Sequence, residues 1–288
     1  MYRALVATSL LACGFLAASP AAAETTPPRC IEITSLPVAP ITTAGVYCLT
    51  KDLATAATSG TTIPIQANNV TIDCNDHKVG GTAAGPGTTA VGIGGSGANA
   101  TVRNCNVRGF YRGVFLSGMA GSGHLVEDNR MDGNTYNAIR VDGDGSMVRR
   151  NVATATGGST QTANAVAISV NGSVDVLGNL VAGVSANPVG AGDGTGILAA
   201  GAPAGSIGGN RIMELAGGST GSIDGIRVTG SRAVVRGNQL DGDSGAGTGT
   251  GTGLRCDDET ARAKDNNVIG FSDALLGCGS AGGNDLQP

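Results

Sequence analysis

Arg140 and Asp142 stand in Ile139-Arg140-Val141-Asp142, a cation and a carboxylate separated by one apolar residue. In an extended chain that spacing puts both on one face. Related spacings recur at Ser169-Val170-Asn171, Arg227-Val228-Thr229 and Arg255-Cys256-Asp257. An arginine fork matches a carboxylate with two parallel hydrogen bonds, so Arg140 and Arg227 suit the carboxylate of an acidic sugar, and Arg140 could also serve as a base. Asp142 would orient the arginine or hold calcium. Tyr136, with Tyr111 and Phe115 nearby in the chain, offers a ring for a sugar face. The candidate ligand-binding set is Tyr136, Arg140, Asp142, Asn171 and Arg227, of which Arg140, Asp142 and Arg227 are the candidates for catalysis. The same pattern also fits an exposed ion pair on a solvated face.

Other groups offer less. The acidic turns Asp142/Asp144, Asp241/Asp243 and Asp257/Asp258/Glu259 make calcium the one cofactor to consider, although Asp-Gly-Asp also forms ordinary solvated turns. The two histidines, His77 and His124, are far apart and there is no C-x-x-C pair, which argues against zinc. His124 has the right chemistry for an acid or base but stands alone. Gly92–Gly97 and Gly247–Gly253 would need a following helix to cradle phosphate, so they read as loops. The formal net charge is −4 with both signs scattered along the chain, which argues against nucleic acid as a partner.

The elements that must position these residues follow from a repeat. Cys105, Asn129, Asn151, Asn179, Asn210, Asn238 and Asn266 recur at spacings of 24, 22, 28, 31, 28 and 28 residues. Three residues before each anchor stands Val102, Val126, Val148, Val176, Ile207, Val235 or Ala263. Two residues after each stands Val107, Met131, Ala153, Val181, Ile212, Leu240 or Val268. A second alternating segment follows in each unit, as in Val114/Leu116, Ile139/Val141, Ile168/Val170 and Ile226/Val228. Period two means strand, and no unit carries a helical period. Variable unit length argues against a strict short-period solenoid and predicts an all-β, right-handed parallel β-helix. Its narrow interior favours aliphatic and small residues, and its tight turns need the 49 Gly and the many Asn. A further column of outward cations, Arg103, Arg149 and Arg236, runs along another face.

The Asn-x-apolar unit followed by Gly-Ile-type strands resembles the repeats of the pectin lyase-like superfamily of secreted β-helices. Gly45-Val46-Tyr47-Cys48-Leu49-Thr50-Lys51-Asp52-Leu53 and Asn69-Val70-Thr71-Ile72-Asp73-Cys74-Asn75 resemble the entry coils of such proteins. The resemblance implies the fold across most of the chain. It leaves activity open, because the superfamily holds lyases, hydrolases, epimerases, adhesins and proteins without a known reaction. Of the polygalacturonase-like signature only Asp257-Asp258 is present, out of context and without Gly-His-Gly. The leading expectation is a protein that binds polysaccharide or another surface ligand. The alternatives are a lyase or epimerase acting on uronic acid polysaccharide, and a structural or adhesive surface protein.

Compartment is read from the N-terminus. Arg3, the apolar run Ala4–Leu16 and Ala21-Ala22-Ala23 form a signal peptide over residues 1–23, with the mature chain beginning at Glu24. Leu10-Leu11-Ala12-Cys13 is a loose lipoprotein-type rival. No later stretch is long and apolar enough to span a membrane, so a secreted or periplasmic protein is expected. Residues 24–288 form one domain, with an entry or cap segment at 24–60 and coils at 61–288. Six cysteines remain after the signal, an even number for an oxidising compartment. Cys30 with Cys48 and Cys256 with Cys278 would tie the ends, leaving Cys74 with Cys105 across neighbouring coils.

Overall fold

The computed structural model describes residues 30–118, 121–201, 205–230, 232–242 and 251–287. The expected signal peptide, including its cleavage site and Cys13, lies outside the described residues. Three parallel sheets run the length of the molecule, with 11, 10 and 9 strands among the described residues. They are called sheets A, C and B here, in the order in which a coil visits them. One coil contributes Thr101–Arg103 to sheet A, Asn106–Arg108 to sheet C and Arg112–Leu116 to sheet B. The chain then returns to sheet A at Leu125–Glu127. Every pairing joins equivalent strands of successive coils, and such parallel crossovers close in the right-handed sense. This is a parallel β-helix. Ile31–Ile33 and Gly45–Leu49 already pair within sheet A, so the solenoid begins inside the entry segment.

The repeat columns become the core. Val126 faces Val102 and Val148 in register, and Val176, Ile207, Val235 and Ala263 continue the file. Met131 sits between Val107 and Ala153 in sheet C, and Ile139 between Val114 and Ile168 in sheet B. All are buried in one continuous cluster. Each fully buried Val, Ile or Leu contributes roughly 1.5–3 kcal/mol, so the columns supply the main drive for stacking.

Sheet B bends at a file of small residues, Gly92, Gly113, Ala138, Ala167, Gly196, Gly225, Gly253 and Ala274, where the paired register skips one position and two consecutive residues turn to the core in most coils. A Cβ at Gly196 would stand 2.6 Å from the Gly225 carbonyl oxygen and 2.6 Å from Ile212 Cγ2, so only glycine fits at that coil. This corrects the reading of Gly92–Gly97 as a loop. Val91–Gly95 is a strand, and its glycines are there because the neighbouring coils lie against them, the next coil at Gly92 and Gly94 and the preceding one at Gly95. Likewise Gly251–Cys256 is a strand, while residues 247–250 lie outside the described residues.

The asparagines form a buried ladder. Asn179 Nδ2 donates to Asn210 Oδ1 at 3.0 Å and to the Val148 carbonyl at 3.0 Å, and its backbone N–H donates to the same Oδ1 at 2.9 Å. The arrangement repeats from Asn129 to Asn284. At the first end the file changes chemistry: Cys105 N–H donates to Asn129 Oδ1 at 3.0 Å, and its sulfur is bonded to Cys74. All three cysteine pairs form as expected, with Cα separations of 5.6 Å for Cys30–Cys48, 4.7 Å for Cys74–Cys105 and 4.8 Å for Cys256–Cys278.

Candidate functional site

Beyond the bend, side chains of sheet B alternate between core and solvent. The outward file reads Phe115, Arg140, Ser169, Leu198, Arg227, Arg255 and Leu276, and beside it run Asp142, Asn171, Ala200 and Thr229. Arg140 closes its fork on Asp142, with Nε 3.1 Å from Oδ1 and Nη2 3.0 Å from Oδ2. Its guanidinium carbon also lies 5.2 Å from the Phe115 ring centroid. The pair is thus formed within the chain, and a ligand carboxylate must compete with Asp142 for the fork.

Tyr136 stacks on Tyr111, with centroids 4.9 Å apart and planes inclined by 29°. Between these rings and Phe115 sits Arg112, its guanidinium carbon 5.0 Å from the Tyr111 centroid, 5.1 Å from Phe115 and 5.4 Å from Tyr136. Arg112 Nε also donates to Asn137 Oδ1 at 3.2 Å. Such contacts contribute about 0.5–1 kcal/mol each at exposed sites, and more when water is excluded. Burial raises the Tyr111 hydroxyl above its ordinary value, the nearby Arg112 partly opposing this, so the ring remains neutral. The result is a half-buried platform of three rings and two guanidinium groups. Sequence reasoning missed Arg112, because strict alternation assigns it to the side of Val114 and Leu116. The bend at Gly113 turns it outward, and the run of Gly and Ala at that position was the available signal.

The remaining candidates lie further along. Asn171 is exposed one coil beyond Asp142 in the same file. Arg227 is three coils from Arg140, roughly 14 Å at about 4.8 Å per coil. Tyr136, Arg140 and Asp142 are therefore one cluster, and Arg227 belongs to a second.

In that second cluster Arg227 Nη2 lies 3.5 Å from Asp257 Oδ2, and Arg255 Nε lies 3.8 Å from Asp257 Oδ1. Beside them Asp224 is buried, and neither of its oxygens has a hydrogen-bond partner among the described residues. Arg227 Nε is buried and unpartnered in the same way. Burial pushes the Asp224 carboxyl above its ordinary value of 3.8; Arg255 and Arg227 oppose this, while Asp193 and Asp257 add to it. Asp224 precedes the small residue Gly225, so it escaped notice for the same reason as Arg112.

His124 is buried rather than in an open loop; its Nδ1 accepts the Ala100 N–H at 3.4 Å, and burial lowers its pKa, which keeps the ring neutral. Of the acidic turns, Asp144 Oδ1 accepts the Ser173 N–H at 2.8 Å and Asp258 Oδ1 accepts the Thr260 N–H at 2.9 Å, so both serve the backbone. Asp243 lies outside the described residues. Among the described residues no group of three or more His, Cys, Asp or Glu side chains is arranged to hold a metal ion.

No protein family and no curated protein matches the chain. Among solved structures, it is similar to the crystal structure of the Dettilon tailspike protein, with a TM-score of 0.53 and 14% identity over 89% of this chain. The match spans 58% of the tailspike chain. At that identity the likeness is one of fold.

Proposed function

We propose that this chain is an exported β-helix that binds polysaccharide along the outer face of sheet B, centred on the platform of Tyr111, Arg112, Phe115, Tyr136 and Arg140. The observation that carries this reading is the convergence of three of the six aromatic residues that follow the expected signal on one half-buried patch with two arginines. A protein with so few rings has no packing reason to place three of them on its surface, whereas ring faces and guanidinium forks are what sugars and sugar carboxylates engage. The stacked face extends past Asn171 as a linear polymer would require. Similarity to a tailspike protein fits a surface or polysaccharide ligand. The three disulfides fit an oxidising compartment, and among the described residues no helix is long and apolar enough to cross a membrane. A glycan-array screen of the mature chain tests the proposal: binding that disappears in Tyr136→Ala supports it, and binding indifferent to that change removes this face.

A second reading, a lyase or epimerase acting on uronic acid polysaccharide, is favoured by one observation, the unpartnered Asp224 beside Arg227. A carboxyl whose hold on its proton is strengthened by burial is suited to return a proton to a leaving oxygen or a carbon, and an adjacent guanidinium can neutralise a uronate. Incubation with polygalacturonate and alginate, followed by ultraviolet absorbance for unsaturated ends and by deuterium incorporation from solvent, tests it. Product formed equally by wild type and Asp224→Asn would exclude this cluster.

A further inference from the structure

On sheet A the first outward file alternates in sign from coil to coil. Asp73, Arg103, Glu127 and Arg149 are consecutive register partners. Arg103 Nε lies 2.8 Å from Asp73 Oδ2 and Arg149 Nη2 lies 2.7 Å from Glu127 Oε2, while Arg150 adds contacts of 2.8 Å to Glu127 and 2.7 Å to Asp128. Leu177 and Gly208 then interrupt the file, and it ends on Arg236 directly opposite Lys264. Like charges facing each other across a ladder destabilise the pairing. Among the described residues Arg236 has no ion pair. Lys264 has one weak contact, 3.8 Å to the exposed Asp265. A third exposed cation, Arg262, faces Val234 in the neighbouring outward file and likewise forms no ion pair among the described residues. Asp258 and Glu259 precede it in the turn, and neither reaches it with an ion pair.

We propose that Arg236, Arg262 and Lys264 form a second binding site, separate from sheet B, for an anionic glycan. The chain keeps an unfavourable cation stack here although four coils of the same file show how readily carboxylates resolve it, which is the pattern expected where an external anion completes the charge. The site is a narrow file flanked by apolar surface. A Cβ at Gly208 would lie 3.5 Å from Leu177 Cδ2 and 3.6 Å from Arg236 Cγ, so the arginine stem runs over the glycine beside Leu177, and Val234 is 42% exposed. Cations spaced at the coil repeat beside aliphatic side chains suit a single sugar chain carrying anionic groups. A nucleic acid duplex calls for a broader field than a chain of net charge −4 provides.

Heparin, as a sulfated probe glycan, tests this at low ionic strength with neutral dextran and duplex DNA as comparators. The site predicts binding to heparin that weakens with salt, is absent for dextran and is much weaker for DNA. Arg236→Glu and Lys264→Glu each restore the alternation of sign. Each should therefore weaken heparin binding about ten-fold or more while leaving the melting temperature unchanged or higher. Arg236→Gln serves if a reversal disturbs folding. Tyr136→Ala on sheet B should leave heparin binding intact, which separates this site from the polysaccharide face. The proposal is overturned if wild type does not bind heparin, if DNA binds as well, if the charge reversals bind like wild type, or if Tyr136→Ala alone abolishes binding.

Discussion

Asn210 and Asp224 lie on the same coil, are both 1% exposed and are both polar, yet they live in opposite circumstances. The Asn210 amide is used on every side: Oδ1 accepts from Asn179 N–H and Nδ2 at 2.9 and 3.0 Å, and Nδ2 donates to the Val176 carbonyl at 2.9 Å and to Asn238 Oδ1 at 3.0 Å. The Asp224 carboxyl oxygens accept no hydrogen bond from any described residue. Burying an unpartnered polar group costs about 1–3 kcal/mol, so Asp224 weakens the fold where Asn210 strengthens it. The difference separates a buried polar group that holds the solenoid together from one that costs it stability.

The comparison can be broken most forcefully at the ladder. Asn210→Ala leaves two donors of Asn179 and the Val176 carbonyl without their partner, and should lower unfolding free energy by about 3–5 kcal/mol, read by denaturant titration. A loss below about 1 kcal/mol would mean that water replaces the amide and that the ladder is not a buried network. Replacing both Cys74 and Cys105 by Ala, where the same file becomes covalent, should cost about 2–4 kcal/mol for a bridge separated by 31 residues.

Asp224 should behave in the opposite sense. Its folded-state pKa is raised, so both states are protonated well below 3.8, and the unfolded chain ionises first as pH rises. Its contribution to stability is therefore full in acid and falls as pH climbs from 3.8 to the folded-state value. Asp224→Asn should match wild type in acid and exceed it near neutrality. A variant less stable than wild type at neutral pH would mean that the carboxylate is ionised and paired. Asp128 provides the contrast, because its hydrogen bond to Arg150 lowers its pKa and its contribution is lost as pH falls. The smallest effect is expected at Asp142→Ala, which removes a half-buried fork at the surface and should change stability by roughly 1 kcal/mol.

Much of the fold was legible because the β-helix writes its core as columns. The anchors Asn129 to Asn266 and their apolar neighbours follow from the spacing of equivalent positions, and the cysteine pairs follow from short loops that tie the ends, with Cys74 and Cys105 left to pair. The site was legible only in part. Alternation placed Arg140, Asp142 and Arg227 on the outer face correctly, since those residues lie beyond the bend. It failed for Arg112 and Asp224, which lie before it, because a bend at a small residue changes the facing of everything upstream. Taking the glycines of Val91–Gly95 for a loop was the same oversight, since close packing of coils, not a turn, demands them. Pairing was illegible for a different reason: whether Arg140 meets a ligand or Asp142 depends on side-chain geometry that spacing does not encode.

The central claim is that the ring and arginine platform of sheet B is the ligand-binding surface. Its most direct test is calorimetric titration of an array-selected oligosaccharide into wild type, Arg112→Gln, Tyr136→Ala and the sheet C control Arg130→Ala, with folding checked by circular dichroism. The account predicts affinity weakened about ten-fold or more by Arg112→Gln and by Tyr136→Ala, and unchanged by Arg130→Ala. Equal affinity across all four proteins would contradict it.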